Sequence, residues 1–120
     1  MIQKLEINGV HTEVDKKLRD YTIKKIGKLD RYIPRRARES VHAQVFLKEV
    51  KIKTRKDCIC EVVLHLPQEN LTTQEATVNM FAAVDIVEAK LKNLLKKYKY
   101  THHSAQLHRR LYAKLRKRGR

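Results

Sequence analysis

Along this chain the apolar residues change rhythm repeatedly, from every second position to every third or fourth, and each change marks a boundary. Residues 3 to 8, QKLEIN, place Leu5 and Ile7 on one face and then meet Gly9, so they predict a first strand. A helix follows, opened either by Thr12 in a capping box with Asp15 or by Asp15 itself. Its stripe runs through Leu18, Tyr21 or Thr22, Ile26, Leu29 and Ile33, until Pro34 forces Ile33 out of helical geometry. Lys17, Lys24, Lys28 and Arg31 take the opposite side.

After a basic loop, PRRARE, residues 41 to 48 alternate cleanly, with Val41, Ala43, Val45 and Leu47 on one face of a second strand. A second basic loop holds Lys51, Lys53, Arg55 and Lys56. It leads into DCICEVVLHL, where Cys58, Cys60, Val62, Leu64 and Leu66 share a face and Pro67 ends the strand. PQEN reads as a turn into a Thr-rich fourth strand, Leu71 to Thr77. Asn79 then caps a helix of about five turns, striped by Met80, Val84, Val87, Leu91, Leu94 or Leu95, and Tyr98.

The order is therefore β-α-β-β-β-α, an α+β fold. A strand-helix-strand crossover joins parallel neighbours, so strands one and two should be parallel and the rest antiparallel, with both helices on one face of a four-stranded mixed sheet. At 120 residues the chain is expected to be one folded domain, spanning residues 1–100. Residues 101–120 have Leu107, Leu111 and Leu115 at a spacing of four among many cations, and read as a flexible basic extension that becomes helical on a surface.

Charge narrows the possibilities. The chain carries 28 Lys and Arg against 13 Asp and Glu, a formal net charge of +15, more than solubility requires, so the expected partner is nucleic acid. Two cysteines are too few for a disulfide framework and suit a reducing compartment. MIQKLEINGV lacks the apolar run of a signal peptide and no stretch reaches membrane-spanning length, so a cytoplasmic protein is expected.

Catalytic and metal chemistry finds little footing. Cys58 and Cys60, with His65, His102 or His103, could form a zinc site, but one intervening residue is not the usual ligand spacing and both sulfurs fall on an apolar strand face. Core packing is the expected role, with no metal and no cofactor. The six histidines pair with no nucleophile, and there is no glycine-rich phosphate loop or acidic magnesium cluster, so neither an enzyme nor a small-molecule substrate is expected.

The lysines of the last helix are less ordinary. Glu88 and Lys92 form an i,i+4 pair, but Lys96, Lys97 and Lys99 have no local acid, whereas a solvated face usually mixes signs. A membrane surface would have to hold the protein by charge alone, since the apolar stripe is taken by the sheet and there is no tryptophan. RNA fits better. The first helix adds Lys24, Lys28 and Arg31, and the loops add Arg35, Arg36 and Lys53. If roughly six to ten phosphates are engaged, affinity should fall by about three to five decades from low to moderate salt. Phe46 is the one aromatic on an outward strand face, which disfavours a sheet that stacks single-stranded bases.

Two stretches carry a more specific signal. KKIGKLDRYI at 24–33 and NMFAAVDIVEAKLKNLLKKYK at 79–99 resemble the two helix signatures of the ribosome hibernation promoting factor family, also called ribosome-associated inhibitor A. The first is similar to Lys-x-x-Lys-Leu-[Glu/Asp]-x-Tyr. The second is similar to [Asp/Asn]-Met-[Tyr/Phe]-Ala-Ala-[Ile/Val]-Asp followed by Lys-Leu and a basic end.

The resemblance covers about the first hundred residues and implies a domain topologically similar to double-stranded-RNA-binding domains. It also implies a partner, the small ribosomal subunit and its rRNA, bound between head and body over sites used by mRNA and by A- and P-site tRNA. Such a protein silences idle ribosomes in stationary phase or stress. Family basic positions fall on Lys25, Lys28, Lys90, Lys97 and Lys99, while Asn93 stands where an Arg is usual, leaving Lys92 or Lys96 as substitutes. The expected rRNA-binding set is thus Lys24, Lys25, Lys28, Arg31, Lys90, Lys92, Lys96, Lys97 and Lys99, joined by Arg109, Arg110 and Lys114 of the basic extension. Long members add a dimerisation domain, which is not expected within these 120 residues. A structured-RNA binder not dedicated to ribosomes is the alternative.

Overall fold

The computed structural model describes the backbone of residues 1–118 and the side chains of residues 1–101. Strand β1 (Lys4–Val10) leads into helix α1 (Lys16–Gly27), a 3₁₀ segment (Lys28–Tyr32) and a one-turn helix α2 (Arg35–Arg38). Strands β2 (His42–Ile52), β3 (Arg55–His65) and β4 (Asn70–Thr77) follow, and helix α3 (Met80–Arg118) closes the chain. The sheet order is β1-β2-β3-β4, parallel between β1 and β2 and antiparallel elsewhere, as the crossover rule requires.

Local chemistry accounts for the boundaries. Asp15 caps α1, its carboxylate accepting from Leu18 N at 2.8 Å, which decides between the two openings the sequence allows. Asn79 caps α3 by accepting from Phe81 N at 2.9 Å. Gly9 lies inside β1 rather than ending it. A Cβ there would meet the Thr12 carbonyl oxygen at 2.7 Å, so the glycine serves the close approach of the β1–α1 connection.

Four further expectations are corrected. The first helix does not run evenly to Ile33 but tightens after Gly27 into the 3₁₀ segment. PRRARE is not a plain loop: it winds into α2, which buries Ala37, while Arg38 Nε donates to the Ile33 carbonyl at 3.0 Å. The second basic loop is mostly strand, since Lys51 belongs to β2 and Arg55 and Lys56 to β3, leaving Lys53 and Thr54 as the turn. Residues 101–118, read as a flexible extension, continue α3 as far as Arg118, giving a helix of 39 residues. Good helix formers fill that stretch and it contains neither Gly nor Pro until Gly119.

One side of the sheet carries the core. Ala43, Val45 and Leu47 of β2 and Cys58, Cys60, Val62 and Leu64 of β3 join Leu18 and Ile26 of α1 and Val84, Val87, Leu91 and Leu95 of α3 in a single buried cluster. Thr22 is the buried member of the Tyr21/Thr22 pair and Leu95 that of the Leu94/Leu95 pair. The alternate residues His42, Gln44, Phe46, Glu61, Val63 and His65 face away, each only partly covered. Both cation-bearing helices therefore lie on the same face, which places their flanks side by side.

Candidate nucleic-acid interface

Helix α1 and the first turns of α3 are joined by one compact network. The Tyr21 and Phe81 rings meet edge to face with centroids 5.1 Å apart, and the Tyr21 hydroxyl donates to Asp85. Lys25 extends over the Tyr21 ring at 5.6 Å and reaches Asp85 at 3.5 Å and Glu88 at 3.7 Å. Glu88, followed by Tyr21 and Asp85, holds the Lys25 ammonium above the ordinary lysine range. The bond to Asp85, then burial, pushes the Tyr21 phenol upward as well.

Below this network the 3₁₀ segment and α3 open into a cleft of about 240 Å³, lined by Lys25, Lys28, Arg31, Tyr32, Glu88 and Lys92. Lys92 lies over the Tyr32 ring at 5.4 Å. That contact orients the side chain while leaving its positive charge uncompensated. Glu88, which the i,i+4 spacing pairs with Lys92, is turned instead to Lys25.

The expected binding residues therefore differ in their surroundings. Lys28, Arg31 and Lys92 converge on the cleft, and Lys96 and Lys99 continue from Lys92 at helical spacing along the same flank of α3. Lys25 and Lys90 are both engaged by carboxylates, Lys25 as described and Lys90 by an ion pair with Glu75 of β4. Lys97 follows Lys90 by two turns on that other flank. Lys24, Lys28, Arg31, Lys96, Lys97 and Lys99 are exposed and make no ion pair among the described residues. The side chains of Arg109, Arg110 and Lys114 lie outside the described residues.

Of the loop cations, Arg35 and Arg36 sit on α2, which precedes β2, near the cleft end of the sheet. Lys53 is at the far end, in the β2–β3 turn, and is not part of this cluster. Tyr32 and the carboxylates Asp85 and Glu88 are site residues that charge counting passes over. Two acids in an otherwise basic helix were the available signal, and Asp85 is itself a position of the second helix signature.

Cys58 and Cys60 are buried free thiols, and burial pushes Cys60 up to about 12. His65 faces away from them, hydrogen-bonded to Gln44 at 2.9 Å and stacked on His42 at 5.1 Å. Among the described residues no group of three or more His, Cys, Asp or Glu is placed to hold a metal ion, and no helix is long and apolar enough to cross a membrane.

Fold and surface together define an α+β domain whose four-stranded mixed sheet carries a cation-rich helical face. A family profile described as Sigma 54 modulation protein / S30EA ribosomal protein matches residues 5–102, and the chain belongs to that family. It is 32% identical over 96 residues to the ribosome hibernation promotion factor of Lactococcus lactis subsp. cremoris (strain MG1363), covering 80% of this chain and 49% of that protein. To the factor of the same name from Staphylococcus aureus (strain COL) it is 29% identical over 98 residues, covering 80% and 48%. The chain thus spans about half the length of these relatives.

Among solved structures, the Thermus thermophilus Protein Y N-terminal domain superposes with a TM-score of 0.67 at 26% identity, covering 78% of this chain and 94% of that one. A ribosomal subunit interface protein from Coxiella burnetii gives 0.67 at 24% identity, covering 82% and 99%, and shares the fold.

Proposed function

We propose that this protein is a ribosome hibernation factor that binds the small ribosomal subunit near the decoding region and inhibits translation by occupying the sites of mRNA and of A- and P-site tRNA. The observation that carries this reading is the convergence of Lys28, Arg31 and Lys92 on one cleft, with Lys96 and Lys99 extending the same flank. Cations projecting from two packed helices present a fixed spacing to phosphates, so a folded RNA surface is a better match than a flexible strand. Lys97, and the Arg109, Arg110 and Lys114 that the sequence adds further along α3, would enlarge the electrostatic footprint on rRNA. Names of the relatives agree with a ribosomal partner, and the mechanism is occupancy, with no bond made or broken.

Sedimentation of the purified chain with isolated small subunits tests the reading, followed by competition with mRNA and initiator tRNA. Co-sedimentation that tRNA reverses, and translation in a cell-free system that falls as the protein is added, are the expected results. Binding to naked structured RNA with no preference for subunits would instead make it a general RNA-binding protein.

A further inference from the structure

The β2–β3 hairpin takes no part in the helical cleft, yet its construction is unusual for an idle turn. β1 stops pairing at Val10 opposite Lys48, and β4 stops at Thr77 opposite Cys58. Beyond those points β2 and β3 continue alone through the pairs Val50–Asp57, Lys51–Lys56 and Ile52–Arg55. Three further pairs at strand rise make a two-stranded arm that projects about 10 Å past its neighbours.

The arm is charged in a costly way. Residues 49–57 hold Lys51, Lys53, Arg55 and Lys56 against Glu49 and Asp57. Arg55 pairs with Asp57 at 3.0 Å and Lys56 with Glu49 at 3.2 Å, which leaves Lys51 and Lys53 without an ion pair among the described residues. Lys51 and Lys56 sit directly opposite each other, an arrangement of like charges that destabilises a hairpin. Lys53 adopts a φ of 59°, where glycine or asparagine is the favoured turn residue. On the other side of the ribbon Val50 is 38% and Ile52 59% exposed. The base is nonetheless braced, because Glu49 is hydrogen-bonded by Thr12 and paired with Lys56, which together lower its carboxyl below the usual range.

Position separates the arm from the cleft. The hydrogen bond from Ile2 N to the Gly27 carbonyl, 3.0 Å, ties the end of α1 and the start of the 3₁₀ segment to the beginning of β1, at the His42 end of β2. The hairpin tip follows Ile52 at the other end of that strand, about 30 Å away at strand rise.

We infer that this hairpin is a second RNA-binding arm, in which Lys51 and Lys53 engage backbone phosphates of a duplex segment about 30 Å from the RNA held at the cleft. The inference rests on the proposal that the chain binds rRNA. A polyanion answers the opposition of like charges in the arm, since phosphates placed between Lys51 and Lys56 turn their mutual repulsion into attraction.

The test compares three full-length proteins on isolated small ribosomal subunits across a salt series: wild type, the arm variant K51Q/K53Q and the cleft variant K28Q/R31Q. Each variant is first checked by circular dichroism for an unchanged fold. Loss of two phosphate contacts should reduce the salt slope of the arm variant by about 2, with weaker binding at every salt concentration. In parallel, a T54C variant carrying a tethered hydroxyl-radical source should cut rRNA at nucleotides distinct from those cut from N93C on α3; the native thiols are buried and do not compete for the label. If the wild type and cleft variant behave as proposed but the arm variant matches wild type in affinity and slope, the arm inference falls alone. Cleavage or crosslinking from residue 54 confined to ribosomal protein also overturns it. A wild type that never sediments with subunits overturns both readings.

Discussion

Lys25 and Asp85 lie on different helices, 60 positions apart in sequence, yet the ammonium sits 3.5 Å from the carboxylate. Glu88 is beside them, and the same Asp85 accepts from the Tyr21 hydroxyl. Lys25 therefore joins α1 to α3 and thereby sets the width of the cleft whose other cations face solvent. A cleft of the wrong width would misplace Lys28, Arg31 and Lys92.

Salt dependence distinguishes the two kinds of lysine. Replacing Lys28 with Gln should weaken subunit binding and lower the salt slope by about 1, since a counterion-releasing contact is lost. Lys25→Gln should weaken binding with little change in slope, because its charge is already neutralised inside the protein. Equal slope losses for the two variants, measured by filter binding, would falsify the distinction.

The thiols should be silent in the native state. Burial holds Cys60 near 12, so at pH 8 almost none of it is thiolate, and Cys58 is shielded by the same core. A disulfide-exchange reagent is expected to label neither cysteine until denaturant is added, and then both at once. Rapid stoichiometric labelling of folded protein would contradict the placement of β3.

Alkaline titration should find Tyr21 and Tyr98 resistant to ionisation. Tyr21 is raised above 10.0 chiefly by its bond to Asp85, and Tyr98 chiefly by burial. A group that holds its proton more tightly when folded stabilises the fold below its unfolded value, and that contribution disappears as pH climbs through the raised one. Stability should therefore decline above about pH 10. Asp85→Asn should shift Tyr21 back down without moving Tyr98, as read by ultraviolet absorbance of the phenolates.

Two substitutions gauge the scaffold. Leu91 is fully buried beneath α3, so Leu91→Ala should cost about 2–5 kcal/mol in denaturant unfolding through lost contact and the cavity left behind. Asp15→Ala removes the cap bond to Leu18 N and should cost about 1 kcal/mol. A Leu91 variant as stable as wild type would mean that α3 does not pack on the sheet as described.

Much of the fold was legible in order along the chain. Alternation from Val41 to Leu47 and from Cys58 to Leu66 marked β2 and β3, and the stripe from Met80 to Tyr98 marked the packed half of α3. What escaped was continuation past a packed region. β2 and β3 run on into a projecting arm, and the backbone of α3 runs on as a helix to Arg118 through a stretch without Gly or Pro. Cations break the apolar pattern in both places, so the sequence period gives no sign that either element continues.

The order of strands and helices, the buried face of each, and an excess of positive charge are properties of the sequence by itself, because periodicity and net charge are local sums. Which lysine meets a carboxylate is a different kind of fact. Lys25 with Asp85 and Lys90 with Glu75 were matched, and Lys28, Arg31 and Lys92 gathered at one cleft, only when α1, α3 and β4 docked. Ion pairing falls off within a few ångströms, and distances between residues far apart in sequence exist only after packing.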